Sequence, residues 1–152
     1  MSQYFNLQAT CNKLTDPSTL IIQERSIQSA RHVFAKSAVA NYNKCEQATL
    51  DYLYESCASA LSKTVHSRFI YMQSTASTCF RKCKQRNRCE ERGLSQNFRL
   101  FETLHTAHEQ LFVHGQDLLP GDVRVLHVSD SDDESKVIAL LFDLLLNEYG
   151  AR

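Results

Sequence analysis

From residue 18 to residue 92 the chain contains neither proline nor glycine: its two prolines are Pro17 and Pro120, and its first glycine is Gly93. Proline removes a backbone donor, and glycine costs about 1 kcal/mol in a helix interior, so a stretch free of both favours long helices. Asp16 before Pro17 has the chemistry of an N-cap followed by proline in the first helical position. Leu20, Ile27, Ala30, Phe34 and Ala38 then recur at helical spacing as far as a break at Asn41-Tyr42-Asn43. A second series, Leu50, Leu53, Cys57, Leu61, Val65, Phe69, Met72, Ala76, Phe80 and Cys83, keeps one face for many turns. It predicts one long helix, or two joined at Ser62 to Thr64.

Gly93 is placed as a left-handed helix stop, with a further helix from Ser95 to Gly115 burying Phe101, Leu104, His108, Leu111 and Phe112. Leu118-Leu119-Pro120-Gly121 reads as a turn, and Val123 to Val128 has the composition of a strand. The acidic run Ser129 to Ser135 precedes a last helix, Lys136 to Tyr149, and Tyr4, Phe5, Leu7, Cys11 and Leu14 allow a short helix before Pro17. The expected fold is therefore all-α: one helical domain over residues 1–152, of four to six helices, with an acidic extended segment at about 122–135.

The neutral total charge conceals a division. Residues 1–92 carry 13 basic and 7 acidic side chains, and residues 93–152 carry 4 basic and 10 acidic ones. Such opposed halves suit polyanion binding or self-association into a homo-oligomer. The basic half culminates in the segment from Cys79 to Arg92, CFRKCKQRNRCEER. On a continuous helix Arg81, Lys84, Arg88 and Arg92 share one face, opposite Phe69, Met72, Ala76, Phe80 and Cys83. A cationic stripe anchored on its far side suits a phosphate backbone, so Arg81, Lys82, Lys84, Arg86, Arg88 and Arg92 are the expected nucleic-acid contacts, with RNA favoured over DNA.

Cys79, Cys83 and Cys89 together with His105 and His108 supply enough donors for zinc, although Cys89 lies about 120° around the helix from Cys83. The alternative reading makes the cysteines core thiols and His108 a core histidine. The segment Val123, Val125 and Leu126 followed by Asp130, Asp132 and Asp133 resembles a SUMO-interaction motif, an apolar strand flanked by acids. A solitary strand in a helical chain would need an outside partner for its backbone; the competing reading has the acids at 132 to 134 capping the last helix. Ser129 and Ser131 in the same run resemble acidophilic-kinase acceptors.

Leu53, Cys57 and Leu61 resemble the helical box that recruits elongin-type adaptors, and Leu141 to Leu145 resembles an LxxLL motif, patterns that any core helix also produces. No apolar run approaches the roughly 20 residues that span a bilayer, and the first residues lack a leader pattern, so the expected location is cytoplasmic or nuclear. No glycine-rich phosphate loop, nucleophile elbow or metalloprotease helix is written in the chain. The expectation is a small non-enzymatic RNA-binding protein, in style a viral or host-interacting factor. A protein-protein adaptor and a zinc-stabilised module are the alternatives.

Overall fold

The computed structural model describes residues 21–37, 42–64, 66–93 and 96–149. Helix α1 begins as one α-turn, Ile27–Ser29, and continues as a π-helix, Ala30–Ala35. Its start is set by Ser26, whose hydroxyl accepts from the Ser29 amide at 3.0 Å. Helix α2, Lys44–Thr64, opens on a reciprocal box: the Glu46 amide donates to Asn43 Oδ1 at 2.9 Å and the Asn43 amide donates to Glu46 Oε2 at 2.8 Å. It stops at the joint expected near Ser62 to Thr64.

Beyond that joint the chain forms strand β1, Phe69–Gln73, in place of a second helix. Helix α3, Ala76–Arg86, starts at Thr75, which receives the Thr78 amide at 3.2 Å, and ends at Asn87 in the left-handed conformation. A 3-10 turn, Cys89–Glu91, leads to helix α4, Phe98–Glu109, which runs on as a π-helix, Gln110–His114. A second 3-10 turn, Gln116–Leu118, precedes strand β2, Val123–His127, and helix α5, Glu134–Tyr149, closes the described chain.

The two strands pair in parallel, with Phe69 opposite Val123 and Gln73 opposite His127. The connection between parallel strands must cross over the sheet, and here it contains α3 and α4. Strand residues alternate faces, so Phe69, Tyr71, Val123 and Val125 turn to one side. There they join Val33 of α1 with Leu111, Phe112 and Leu119 in the core cluster. Val33 is fully buried. On the other face Met72 is 51 % exposed, and along α5 Ile138, Phe142 and Leu146 are also solvent-facing.

The all-α expectation is therefore corrected: the fold is α/β, helices around a parallel strand pair. Phe69 and Met72 fall at helical spacing from Leu61 and Phe80, which let the periodic series run straight through β1. The continuous aromatic and β-branched run Phe69-Ile70-Tyr71 instead satisfies its backbone against β2 and buries Phe69 and Tyr71. The helix stop moves too. Asn87, with φ of 46°, ends α3 ahead of Gly93, and none of the described glycines has a positive φ. The start expected at Asp16-Pro17 and the short helix before it lie outside the described residues; residues 21–26 are not helical, and the first described helix begins at Ile27.

Candidate functional site

In a parallel sheet the carboxyl ends of the strands form the natural ligand edge, because loops and helix N-termini converge there. Here β1 leads through Ser74 and Thr75 into α3, while β2 leads into Val128 and Ser129, whose strand-end register is kept by the Val128 amide on the Gln73 carbonyl at 2.8 Å. Thr75 Oγ1 lies 2.9 Å from Ser77 Oγ and 2.8 Å from Thr78 Oγ1, a patch of hydroxyls over the first turn of α3. Facing it, Asp130 accepts from Arg81 Nη2 at 2.9 Å. Hydrogen bonds from Thr78 and then Arg81 hold the Asp130 carboxyl below its ordinary value. Asp132 is buried under the same loop, accepts from the Ser129 amide at 2.7 Å and pairs with Lys136, which draws its carboxyl down to about 2.

The basic segment runs away from this edge. Arg81, Lys82, Lys84 and Arg86 lie on α3, but the helix ends there, so Arg88 and Arg92 do not continue its face. The single stripe read from the sequence is thus cut at Asn87, where the chain turns back. Arg86 reaches across that turn to Glu91 with Nη2 at 2.6 Å and Nε at 3.1 Å, a two-point grip that fixes the turn's shape. Lys84 lies over the Phe80 ring at 4.2 Å, and Phe80 packs edge-on against Phe98 and Phe101 at 5.3 Å. The cations Lys82, Lys84, Arg86 and Arg88 are exposed, with Lys84 resting on the Phe80 ring. A polyphosphate is the ligand such a group neutralises best.

Beneath β1 lies a polar cluster that the sequence did not announce. Tyr71 donates to Glu109 Oε1 and Gln73 to Glu109 Oε2, each at 2.7 Å. Burial, followed by the Glu109 carboxylate, pushes the Tyr71 hydroxyl far above its usual value. His108 stacks on Tyr71 at 6.0 Å and on Phe112 at 6.2 Å, and its Nδ1 donates to the Leu104 carbonyl at 2.7 Å. Arg25 sits 4.8 Å above Phe34 with φ of 70°, a left-handed conformation costly for a residue with a side chain. Strain of this kind gathers at functional positions, and nothing in the spacing around Glu24-Arg25-Ser26 signals it.

Burial holds the His108 imidazole below the usual histidine value, and the nearby charges of His105 and Arg25 act in the same direction against the pull of the Leu104 carbonyl and Glu109. The folded state therefore binds fewer protons at His108 than the unfolded chain does. Its contribution is complete above a pH of about 6.5 and is lost as pH falls through the native value. His32, half-buried against Tyr54 with Arg31 and Lys36 nearby, adds in the same sense. The melting temperature is expected to decline as pH falls below about 6.5, and His108→Gln should flatten that decline. A slope unchanged by the substitution would remove His108 as its source.

The structure does not gather the metal candidates. Cys79 and Cys89 are exposed, Cys83 is buried beside Glu91, and His105 and His108 belong to α4, where His108 is occupied by its ring stack. Among the described residues no three His, Cys, Asp or Glu side chains are arranged to hold a metal ion. The strand carrying Val123, Val125 and Leu126 is not solitary, since β1 pairs with one of its edges. Of the acids beside it, Asp130 serves Arg81, and Asp133 caps α5 by accepting the Lys136 amide at 2.8 Å. This is the helix-capping alternative.

The family model for deoxynucleoside kinases matches residues 1–144. A match over that length overturns the expectation of a non-enzymatic RNA-binding or host-interacting factor, since the family is one of phosphoryl-transfer enzymes with an α/β fold. It also accounts for a helical chain built on a parallel strand pair. The chain belongs to the deoxynucleoside kinase family.

Proposed function

We propose that this protein transfers a phosphoryl group from a magnesium-bound nucleoside triphosphate to a hydroxyl of a deoxynucleoside. The observation that carries the reading is the family match across residues 1–144. The geometry supports it in kind. Phosphoryl transfer asks little covalent chemistry of a protein; it asks for aligned reactants and for positive charge where the phosphoryl oxygens gather charge. Lys82, Lys84, Arg86 and Arg88 supply that charge, and the exposed Thr75 and Ser77 supply hydroxyl donors at the carboxyl edge.

None of the four glycines is followed by lysine, so no Gly-x-x-x-x-Gly-Lys loop is written in these residues. The phosphate contacts assigned to this chain are accordingly side-chain ones, and arginine's fixed fork matches phosphate oxygens better than a lone ammonium. The test is direct. Purified protein incubated with magnesium ATP and each of the four common deoxynucleosides in turn should release ADP and one deoxynucleoside monophosphate in equal amounts. A folded sample that forms neither product with any of the four would overturn the proposal.

A further inference from the structure

The loop after β2 carries chemistry that phosphoryl transfer to a nucleoside does not use. Ser129 and Ser131 are exposed, with their hydroxyls 2.9 Å apart, in the sequence Ser-Asp-Ser-Asp-Asp-Glu. Asp132, Asp133 and Glu134 follow Ser131 at the first three positions, and Asp133 and Glu134 among them are exposed. The loop is held in place from both sides: Asp132 is anchored by the Ser129 amide and Lys136, and Asp130 reaches Arg81 on α3. Ser131 therefore projects from a fixed turn, next to the residue that already engages the basic helix. It also stands two positions before Asp133, the cap of α5, where added negative charge meets the positive end of the helix.

We infer that Ser131 is a phosphorylation site for an acidophilic serine/threonine protein kinase, and that the phosphate takes Arg81 as its partner. In the modifying step the Ser131 oxygen forms a bond to the γ-phosphorus of a nucleoside triphosphate held by that protein kinase. The bond to the β-γ bridging oxygen breaks, the diphosphate leaves, and the hydroxyl proton passes to the protein kinase's base. The product carries close to two negative charges and three acceptor oxygens, more than Asp130 alone offers an arginine. With Arg81 engaged and a dianion beside Lys82, the exposed cations of α3 attract a triphosphate less strongly. The modification thus links a surface serine to nucleotide affinity, and this consequence rests on the proposed function while the site does not.

The experiment uses the full chain, an acidophilic protein kinase and ATP, with a control lacking the protein kinase. Mass spectrometry should find one phosphate at Ser131, absent from Ser131→Ala; a parent chain that stays unmodified there overturns the site. In phosphorus-31 spectra across a pH series, the carboxylates of Asp130, Asp132, Asp133 and Glu134 raise the second ionisation of the phosphoserine and the Arg81 guanidinium lowers it, so Arg81→Ala should shift that ionisation upward. Identical titrations in the two proteins overturn the pairing with Arg81. Magnesium ATP should then bind the phosphorylated protein roughly five- to tenfold more weakly than the parent, an effect of screened charges a few ångströms apart. Equal affinity overturns the link to nucleotide binding, whereas absence of binding by either form counts against the kinase reading and leaves the mass and phosphorus results to decide the site.

Discussion

Replacing Gly121 with alanine is expected to destabilise the protein by about 3 kcal/mol or more, while the same change at Gly93 should stay within about 0.5 kcal/mol. A Cβ built on Gly121 would stand 1.8 Å from the Ser67 carbonyl oxygen and 2.8 Å from its carbon. Both are backbone atoms, so no side chain can swing aside. The contact is fixed from its other end too, because the Phe69 amide donates to the Asp122 carbonyl at 2.8 Å and sets the first rung of the β1–β2 pair. An alanine must therefore push the strands apart at their start or bend the turn after Leu119, which belongs to the core. Gly93 meets nothing within 4 Å. For a domain of this size the Gly121 variant should melt roughly 6 to 12 °C below the parent. Equal melting temperatures for the two variants would mean that the entry into β2 does not pass against Ser67.

The same glycine shows what the sequence could and could not disclose. Leu118 to Gly121 was legible as a turn because proline and glycine mark one wherever they meet, and Val123 to Val128 was legible as extended because of its β-branched run. That the turn lies against Ser67, and that the strand pairs with residues more than fifty positions earlier, are facts of tertiary contact. Helix α4 was readable in its buried stripe, of which Leu111 and Phe112 are in the core. Strand β1 was not, since Phe69 and Met72 mimic helical spacing and no glycine or proline bounds the segment. The loss of β1 led directly to the wrong fold class and left β2 without its partner.

For the site the division runs along similar lines. The cations from Arg81 to Arg88 were conspicuous because charge is visible in a sequence, and phosphate was the ligand chemistry to infer from them. Which phosphate they meet depends on what stands beside them. A stripe on a continuous helix suggests a polymer backbone; in the fold the cations of α3 lead away from the carboxyl edge and the chain turns at Asn87, so that stripe is interrupted. Tyr71, Gln73 and Glu109 form one cluster from positions 36 to 38 residues apart in sequence. Long-range assemblies of that sort leave no local spacing to read.

Arg86 and Arg88 provide the sharpest functional test, because their roles in the fold and in phosphate binding predict different outcomes. The Arg86–Glu91 pair is largely solvent-exposed on the arginine side, at 49 %, and exposed ion pairs contribute at most about 1 kcal/mol. Arg86→Ala should therefore leave the melting temperature nearly unchanged. If the guanidinium also stabilises charge on the transferring phosphoryl group, the same substitution should lower kcat/KM for deoxynucleoside phosphorylation by roughly 10²-fold or more, the usual consequence of removing one well-placed donor. Arg88→Ala, at an exposed position just past the end of α3, should show a comparable loss. Glu91→Gln separates the two effects: it weakens the grip on Arg86 but leaves the cation, so a rate close to that of the parent would place the effect in phosphate contact. If Glu91→Gln instead lowers the rate as far as Arg86→Ala does, the pair acts by shaping the turn after Asn87, and Arg86 is a positioning residue. Arg86→Lys refines the answer, since an ammonium retains the charge and loses the two-point geometry.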